Sequence, residues 1–177
     1  MSLFKELMSE RLTELIDEIR SAFADVSRGE GISLHQAKAI DERKSPEHQL
    51  AERRRDIEKC WQDIPCEEII ECESALSFFD PAGFRYYLPA FMLCGLNSHQ
   101  PIFEEILHSC TFHLLKESEV SLRESEPARI AINFGFSTAQ CRAIAKFLRF
   151  VVGPDDVNSR EGPTTLRAVA KWEEFVS

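Results

Sequence analysis

The sequence predicts an all-α fold, a single irregular bundle of seven or eight helices with a proline-kinked central helix. Apolar residues recur at three- and four-residue spacing through most of the chain, which is the period of one helix face. Residues that cap or start helices precede many of these segments, and the links between them are short. A chain of 177 residues has the length of one domain, so we expect residues 1–177 to share one core.

The first segment predicts an amphipathic helix over residues 3–23. Leu7, Leu15 and Ile19 lie on its apolar stripe, and its polar face is mostly acidic. Because anionic lipid repels an acidic face, a membrane-surface helix is disfavoured. We expect residues 1–24 to pack against a core formed by residues 25–177, or to join two copies in a homodimer through residues 3–23.

Later helices are predicted from their first residues. A cap, a proline or both precede six apolar segments, at Ser33, Ser45-Pro46, Pro65, Asp80-Pro81, Pro101 and Ser137. The third helix is expected to run toward Trp61 and the fourth through Phe78. Residues 116–134 fit an extended piece or a one-turn helix equally well. A last helix is predicted near Leu166 to Phe175.

The stretch from Phe78 to Met92 holds six of the 17 aromatic residues. Pro89 cannot donate a hydrogen bond to the preceding turn, so the helix is expected to kink there and leave a free carbonyl. One interpretation is a helix bent around a large core. The other is a ligand pocket at the kink, where an anion or a hydrogen-bonding ligand would meet polar side chains. Its candidate ligand-binding residues are Trp61, Asp80, Arg85, Tyr86 and Tyr87.

Composition excludes several classes of protein. No apolar run approaches the length of a membrane span, and the first residues resemble neither a signal peptide nor a transit peptide, so we expect a cytoplasmic protein with no membrane partner. The net charge of −9, with one basic cluster flanked by acids at 53–55, argues against nucleic acid. The six cysteines are expected to be reduced, as small apolar residues.

Acidic residues dominate the segment 61–80, which carries six of them and no lysine or arginine. The leading hypothesis is therefore a non-enzymatic protein-binding module whose acidic surface meets a basic protein partner, in the manner of an immunity protein or antitoxin. Its candidate partner-binding residues are Asp63, Glu67, Glu68 and Glu71. The alternative is a small-ligand binder or enzyme with its pocket at Arg85, Tyr86, Tyr87 and Pro89.

Catalytic and metal motifs are weak. No G-x-S-x-G elbow is present, and no histidine is close in sequence to a serine or aspartate at a spacing that forces contact. His108, Cys110 and His113 resemble a metal cluster, but on a helix at most two of them converge, fewer than zinc needs. We therefore predict no catalytic residue, no metal and no cofactor.

Three segments resemble a known family. They are Trp61-Gln62-Asp63-Ile64-Pro65, the stretch from Leu76 to Met92, and Thr138 to Leu148. They are similar to the W-x-D-[IV]-P and LSF-x-D-x-x-GFRYYLPAYM boxes of a bacterial family with a domain of unknown function. The resemblance implies a bacterial cytoplasmic origin and brings no activity, cofactor or catalytic residue with it.

Overall fold

The structure is a computed structural model that describes residues 2–97, 101–124, 134–151, 169–170 and 172–174. These residues form helices joined by turns and contain no strand. The prediction of an all-α fold is therefore confirmed. That residues 1–177 make one domain stays a prediction, although the buried apolar side chains of the described residues form one cluster.

Seven α-helices and two 3-10 helices are found in the described ranges. The α-helices are α1 (Ser2–Ala22), α2 (Leu34–Asp41), α3 (Pro46–Arg53), α4 (Cys66–Glu71), α5 (Pro81–Leu96), α6 (Pro101–Glu124) and α7 (Thr138–Val151). The 3-10 helices are Trp61–Asp63 and Glu73–Ser77. Residues 169–170 and 172–174 are also helical, within the predicted last helix.

The predicted caps form at three helices. The Asp80 carboxylate accepts a hydrogen bond from Gly83 N at 2.8 Å, and Ser45 Oγ accepts one from His48 N at 3.3 Å. At α7, Ser137 and Gln140 exchange backbone-to-side-chain hydrogen bonds in a capping box. These bonds satisfy amide groups in the first turn that have no partner within the helix.

Two predicted helix ends were wrong, and part of a segment that the sequence left open is helical. α3 ends at Arg53 rather than near Trp61, because the chain then turns to carry Asp56 inward. α4 ends at Glu71 because Cys72 leaves helical geometry, and a 3-10 helix follows. α6 continues to Glu124, so residues 116–124 are helical rather than extended; residues 125–133 lie outside the described residues.

α5 lies at the centre of the core and α1 packs beside it. Eleven of the 16 residues of α5 are buried, Pro89 among them. α1 contacts α7 and α5 and buries Leu15 and Ile19, whereas Leu7 is exposed. Its second half therefore belongs to the core of its own chain. A homodimer through residues 3–23 stays a prediction.

The loop before α2 crosses the start of α5 at very close range. A Cβ on Gly83 would lie 2.4 Å from the carbonyl oxygen of Ile32, and one on Gly31 would lie 2.6 Å from Gly83 N. Asp80 joins the same crossing, because its Oδ1 also accepts from Ile32 N at 2.9 Å. The crossing fixes the loop that leads into α2, and with it the position of His35.

A disulfide joins α4 to α5, which the sequence did not predict. Cys66 and Cys94 are bonded with their Cα atoms 5.5 Å apart, so the expectation that all six cysteines are reduced was wrong. Cys72, Cys110 and Cys141 are buried and free. Disulfides are rare in cytosolic proteins, so a cytoplasmic location stays a prediction. None of the described helices has the length and apolar character to cross a membrane.

Candidate functional site

The candidate ligand residues around Pro89 are largely built into the fold. Trp61 is buried and donates from Nε1 to the carbonyl of Phe23 at 2.7 Å. Asp80 caps α5. Arg85 donates from Nη1 to the carbonyls of Phe134 and Gly135, at 3.2 and 3.0 Å, and so anchors the segment before α7. The polar groups of these residues already form hydrogen bonds within the chain. A ligand pocket that uses them stays a prediction.

The two tyrosines are buried side by side in an edge-to-face pair with ring centroids 4.9 Å apart. Tyr87 Oη donates to Glu58 at 2.6 Å and accepts from Arg28 at 2.7 Å. Burial, followed by the hydrogen bond to Glu58, raises the pKa of Tyr87 well above its usual value. Burial is also the main cause that raises the pKa of Tyr86. Both phenols therefore stay protonated at neutral pH.

The four candidate partner-binding acids do not form one uniform acidic surface. Glu71 accepts a hydrogen bond from Lys38 at 3.1 Å and lies 3.6 Å from Arg55. The hydrogen bond from Lys38 is the main cause that lowers the pKa of Glu71. Asp63 accepts from the Cys60 thiol, Glu67 is exposed, and Glu68 is half-buried. A basic partner at this surface stays a prediction.

A buried histidine–aspartate pair lies between α2 and the turn after α3. His35 Nδ1 is 2.6 Å from Asp56 Oδ1, and the His35 backbone N donates to Asp56 Oδ2 at 3.0 Å. The two side chains are 3% and 1% exposed. When the carboxylate is ionised its oxygens only accept, and Nδ1 is then the donor of this bond. Asp56 therefore fixes the orientation of the imidazole with both of its oxygens.

The other ring nitrogen of His35 has no partner among the residues that the structure describes. Nε2 is buried and forms no hydrogen bond with any described residue. When Nδ1 carries the proton of a neutral ring, Nε2 is a free electron pair. Burying a polar atom without a partner costs about 1–3 kcal/mol. Such an atom in a folded protein requires an explanation, and a site for a ligand is one.

His35 lines a cavity of about 130 Å³ between α2 and α3. Its other lining side chains are mostly charged: Lys38, Glu42, His48, Glu52 and Arg55. A larger concavity, about 560 Å³, follows the exposed acidic face of α1, and all of its lining residues within the described part of the chain belong to that helix. A third, about 200 Å³, lies beside Trp61 and the disulfide. Of these three, only the cavity at His35 reaches a buried side chain with a polar atom that lacks a partner.

Glu68 brings a second carboxylate to the pair. Ligand atoms of His35, Asp56 and Glu68 lie within 4.8 Å of one another. Within the described residues, Glu68 has no ion pair, unlike its neighbour Glu71. An imidazole and two carboxylates at this range can bind a cation or move a proton.

The sequence did not predict this site. Twenty-one residues separate His35 from Asp56, and a further 12 separate Asp56 from Glu68, so no local spacing connects them. The charged run around Arg53–Arg55 was interpreted only as an argument against nucleic-acid binding. One signal was present in the sequence: Asp56 directly follows that run, in a segment that would otherwise continue as helix.

Comparison with known proteins yields a family and no activity. No curated protein and no solved structure matches the chain. The model of the family of unknown function DUF6714 matches residues 11–174, which include every residue of the candidate site. The resemblance seen in the sequence is thus confirmed at the level of a domain of unknown function. The chain belongs to the DUF6714 family.

Proposed function

We propose that this protein binds a small ligand at the His35–Asp56 pair, with the adjoining cavity as its entrance. The single observation that carries the proposal is the buried Nε2 of His35, which lacks a partner although the rest of the ring is firmly held. A carboxylate that orients a histidine through Nδ1 leaves Nε2 ready to accept a proton or bind an electrophile. The ligand class is therefore one that accepts an electron pair.

The charges around the cavity support a small polar ligand rather than an apolar one. Lys38 and Arg55 stand beside Glu42 and Glu52 at its walls, and none of its described lining residues has a large apolar side chain. Its volume, about 130 Å³, suits an ion with its waters or a very small molecule. Drug-sized ligands occupy pockets of about 300–1,000 Å³.

The proposal is tested by ligand titration followed by NMR at the imidazole of His35. Small polar metabolites and metal chlorides are added to the full chain, and to the His35→Gln and His108→Gln variants. We expect at least one compound to shift the His35 signals in the wild type and in His108→Gln, with no binding to His35→Gln. His108 is the matched control because it is an exposed histidine on α6 that does not line the cavity. Binding that persists in His35→Gln, or no binding at all, would contradict the proposal.

A second candidate function is binding of a basic protein through Asp63, Glu67, Glu68 and Glu71. The observation that favours it is the exposure of Glu67 in a segment of 20 residues that has no cation of its own. Charge complementarity would speed association with a basic partner. A pull-down with wild type and with Glu67→Lys tests it: we expect a basic protein that only the wild type retains. Equal recovery by both proteins would count against it.

A further inference from the structure

We propose that His35, Asp56 and Glu68 form a binding site for a divalent transition-metal ion. In this arrangement Nε2 of His35 and the Glu68 carboxylate bind the ion, and Asp56 holds the imidazole. The inference rests on the proposed ligand site and names the ligand.

The burial of Nε2 favours an ion over an organic molecule. The atom is closed to solvent, so a bulky group could reach it only if the surrounding helices moved. A metal ion needs much less room, because its bond to an imidazole nitrogen is about 2.0–2.1 Å long. The ion would also satisfy the atom that now has no hydrogen-bond partner.

The bond between Asp56 and Nδ1 is the arrangement that metal-binding histidines commonly show. A histidine that binds metal almost always donates its other ring N–H to a carboxylate, a carbonyl or water, which fixes the tautomer and strengthens the ligand. Here Asp56 is 2.6 Å from Nδ1 and also accepts from the His35 backbone N. Asp56 is therefore a positioning residue.

Glu68 supplies the second ligand and part of the charge. It lies on α4, a different element from both His35 and Asp56, and is half-buried without an ion-pair partner among the described residues. One ligand atom from each of the three residues lies within 4.8 Å of the others, and rotation of the Glu68 side chain would have to bring its carboxylate to the roughly 3.4 Å from Nε2 that separates two ligands of a tetrahedral zinc ion. Together with Asp56 it places two negative charges beside the ion.

The ligand set indicates the class of metal. Imidazole suits zinc, copper, iron and nickel, whereas carboxylates alone suit magnesium, calcium and manganese. One nitrogen with a carboxylate favours zinc-like ions over magnesium or calcium. Two protein ligands are fewer than the three or four of most zinc sites, so waters would have to complete the coordination, and the cavity of about 130 Å³ lies next to His35. The affinity is therefore expected to be weaker than that of a closed structural zinc site.

The experiment is a titration of the chelator-treated full chain with Co²⁺, followed by visible absorption, and with Zn²⁺, followed by calorimetry. We expect one ion per chain, Co²⁺ bands typical of nitrogen and oxygen ligands, and little heat with Mg²⁺ or Ca²⁺. His35→Gln and Glu68→Gln should lose binding. Asp56→Asn should retain the Co²⁺ bands but bind about 10–100-fold more weakly, as expected for a positioning residue.

Matched controls keep the test decisive. His108→Gln on α6 and Glu67→Gln on α4 each remove an exposed residue outside the proposed site, and both should bind like the wild type. Because Glu68 is half-buried, Glu68→Gln is expected to fold even if His35→Gln does not. No binding by the wild type, or full binding by Glu68→Gln, would overturn the inference. If organic ligands bind at His35 and metals do not, only this inference fails and the proposed function stands.

Discussion

Asp56 accepts two hydrogen bonds from one residue, His35: from the ring nitrogen at 2.6 Å and from the backbone N at 3.0 Å. The carboxylate thereby fixes both the first turn of α2 and the direction of the imidazole. Since the pair is almost fully buried, no water competes for these bonds. The geometry of the candidate site therefore depends on one carboxylate.

Asp56→Asn should destabilise the fold by about 2–4 kcal/mol, because the amide offers a single accepting oxygen in place of two and removes the charge from a buried, hydrogen-bonded pair. Urea unfolding of the full chain measures this loss. Asp17→Asn on the exposed face of α1 is the control, and its effect should stay within about 0.5 kcal/mol. A loss of similar size in both variants would contradict the structural role of Asp56.

Tyr87→Phe should lower the free energy of unfolding by about 1–3 kcal/mol. The phenol links Arg28 to Glu58, and hydrogen bonds to charged groups contribute more than neutral ones. Arg28 and Glu58 still face each other at 3.3 Å in the variant, which limits the loss. Thermal unfolding of wild type and variant checks it, and an unchanged midpoint would count against the network.

Reduction of the Cys66–Cys94 bond should destabilise the protein by about 3–4 kcal/mol, the loop-closure value for a separation of 28 residues. Urea unfolding with and without reductant measures this difference. The Cys94→Ala variant, which cannot form the bond, should show no response to reductant. Equal stability of the oxidised and reduced wild type would mean that the bond does not constrain the unfolded chain.

Stability should fall as the pH rises above about 9. Burial raises the pKa of the Cys141 thiol to about 11 and raises the pKa of Cys110 further. A group whose pKa is higher in the folded state than in the unfolded state contributes its full stabilisation of the fold at pH values below the unfolded-state pKa. That contribution is lost as the pH rises from the unfolded-state pKa toward the folded-state pKa. Each such thiol changes the free energy of unfolding by up to about 1.4 kcal/mol per pH unit. Unfolding curves from pH 8 to 11 test it, and the slope should be smaller in Cys141→Ala.

Gly83→Ala should destabilise by about 3 kcal/mol or more, because the new Cβ would lie 2.4 Å from the Ile32 carbonyl oxygen, a backbone atom that cannot rotate away. Gly29→Ala is the comparison. Its site has open space and a φ of +55°, so only backbone strain of about 1 kcal/mol is expected. Denaturant unfolding of both variants measures the loss in the free energy of unfolding, which should be larger for Gly83→Ala. Equal losses in the two variants would argue against the close crossing.

The helical fold was predictable because its signals are local. Asp80 followed by Pro81, and Ser45 followed by Pro46, each specify a helix start within four residues, and each start is where the sequence placed it. The ends were harder, since α3 stops where tertiary contact draws Asp56 inward. A boundary that depends on a distant partner has no local signature.

The candidate site and the disulfide were not predictable for the same reason. His35 meets Asp56, and Cys66 meets Cys94, only through the packing of separate helices. The aromatic stretch from Phe78 to Met92 was a candidate site because its residues are adjacent in sequence. In the structure Tyr86, Tyr87 and Phe91 are buried in α5, which explains that concentration by core packing.

The most direct test of the central claim is the protonation pattern of the His35 imidazole, read from its two ring nitrogen signals by NMR in the metal-free chain at neutral pH. The account predicts a proton on Nδ1, held by Asp56, and a bare Nε2. Asp56→Asn should disturb this pattern, whereas Asp17→Asn should leave it intact. A proton found on Nε2 of His35 would contradict the account, because no electron pair would then be free to meet a ligand.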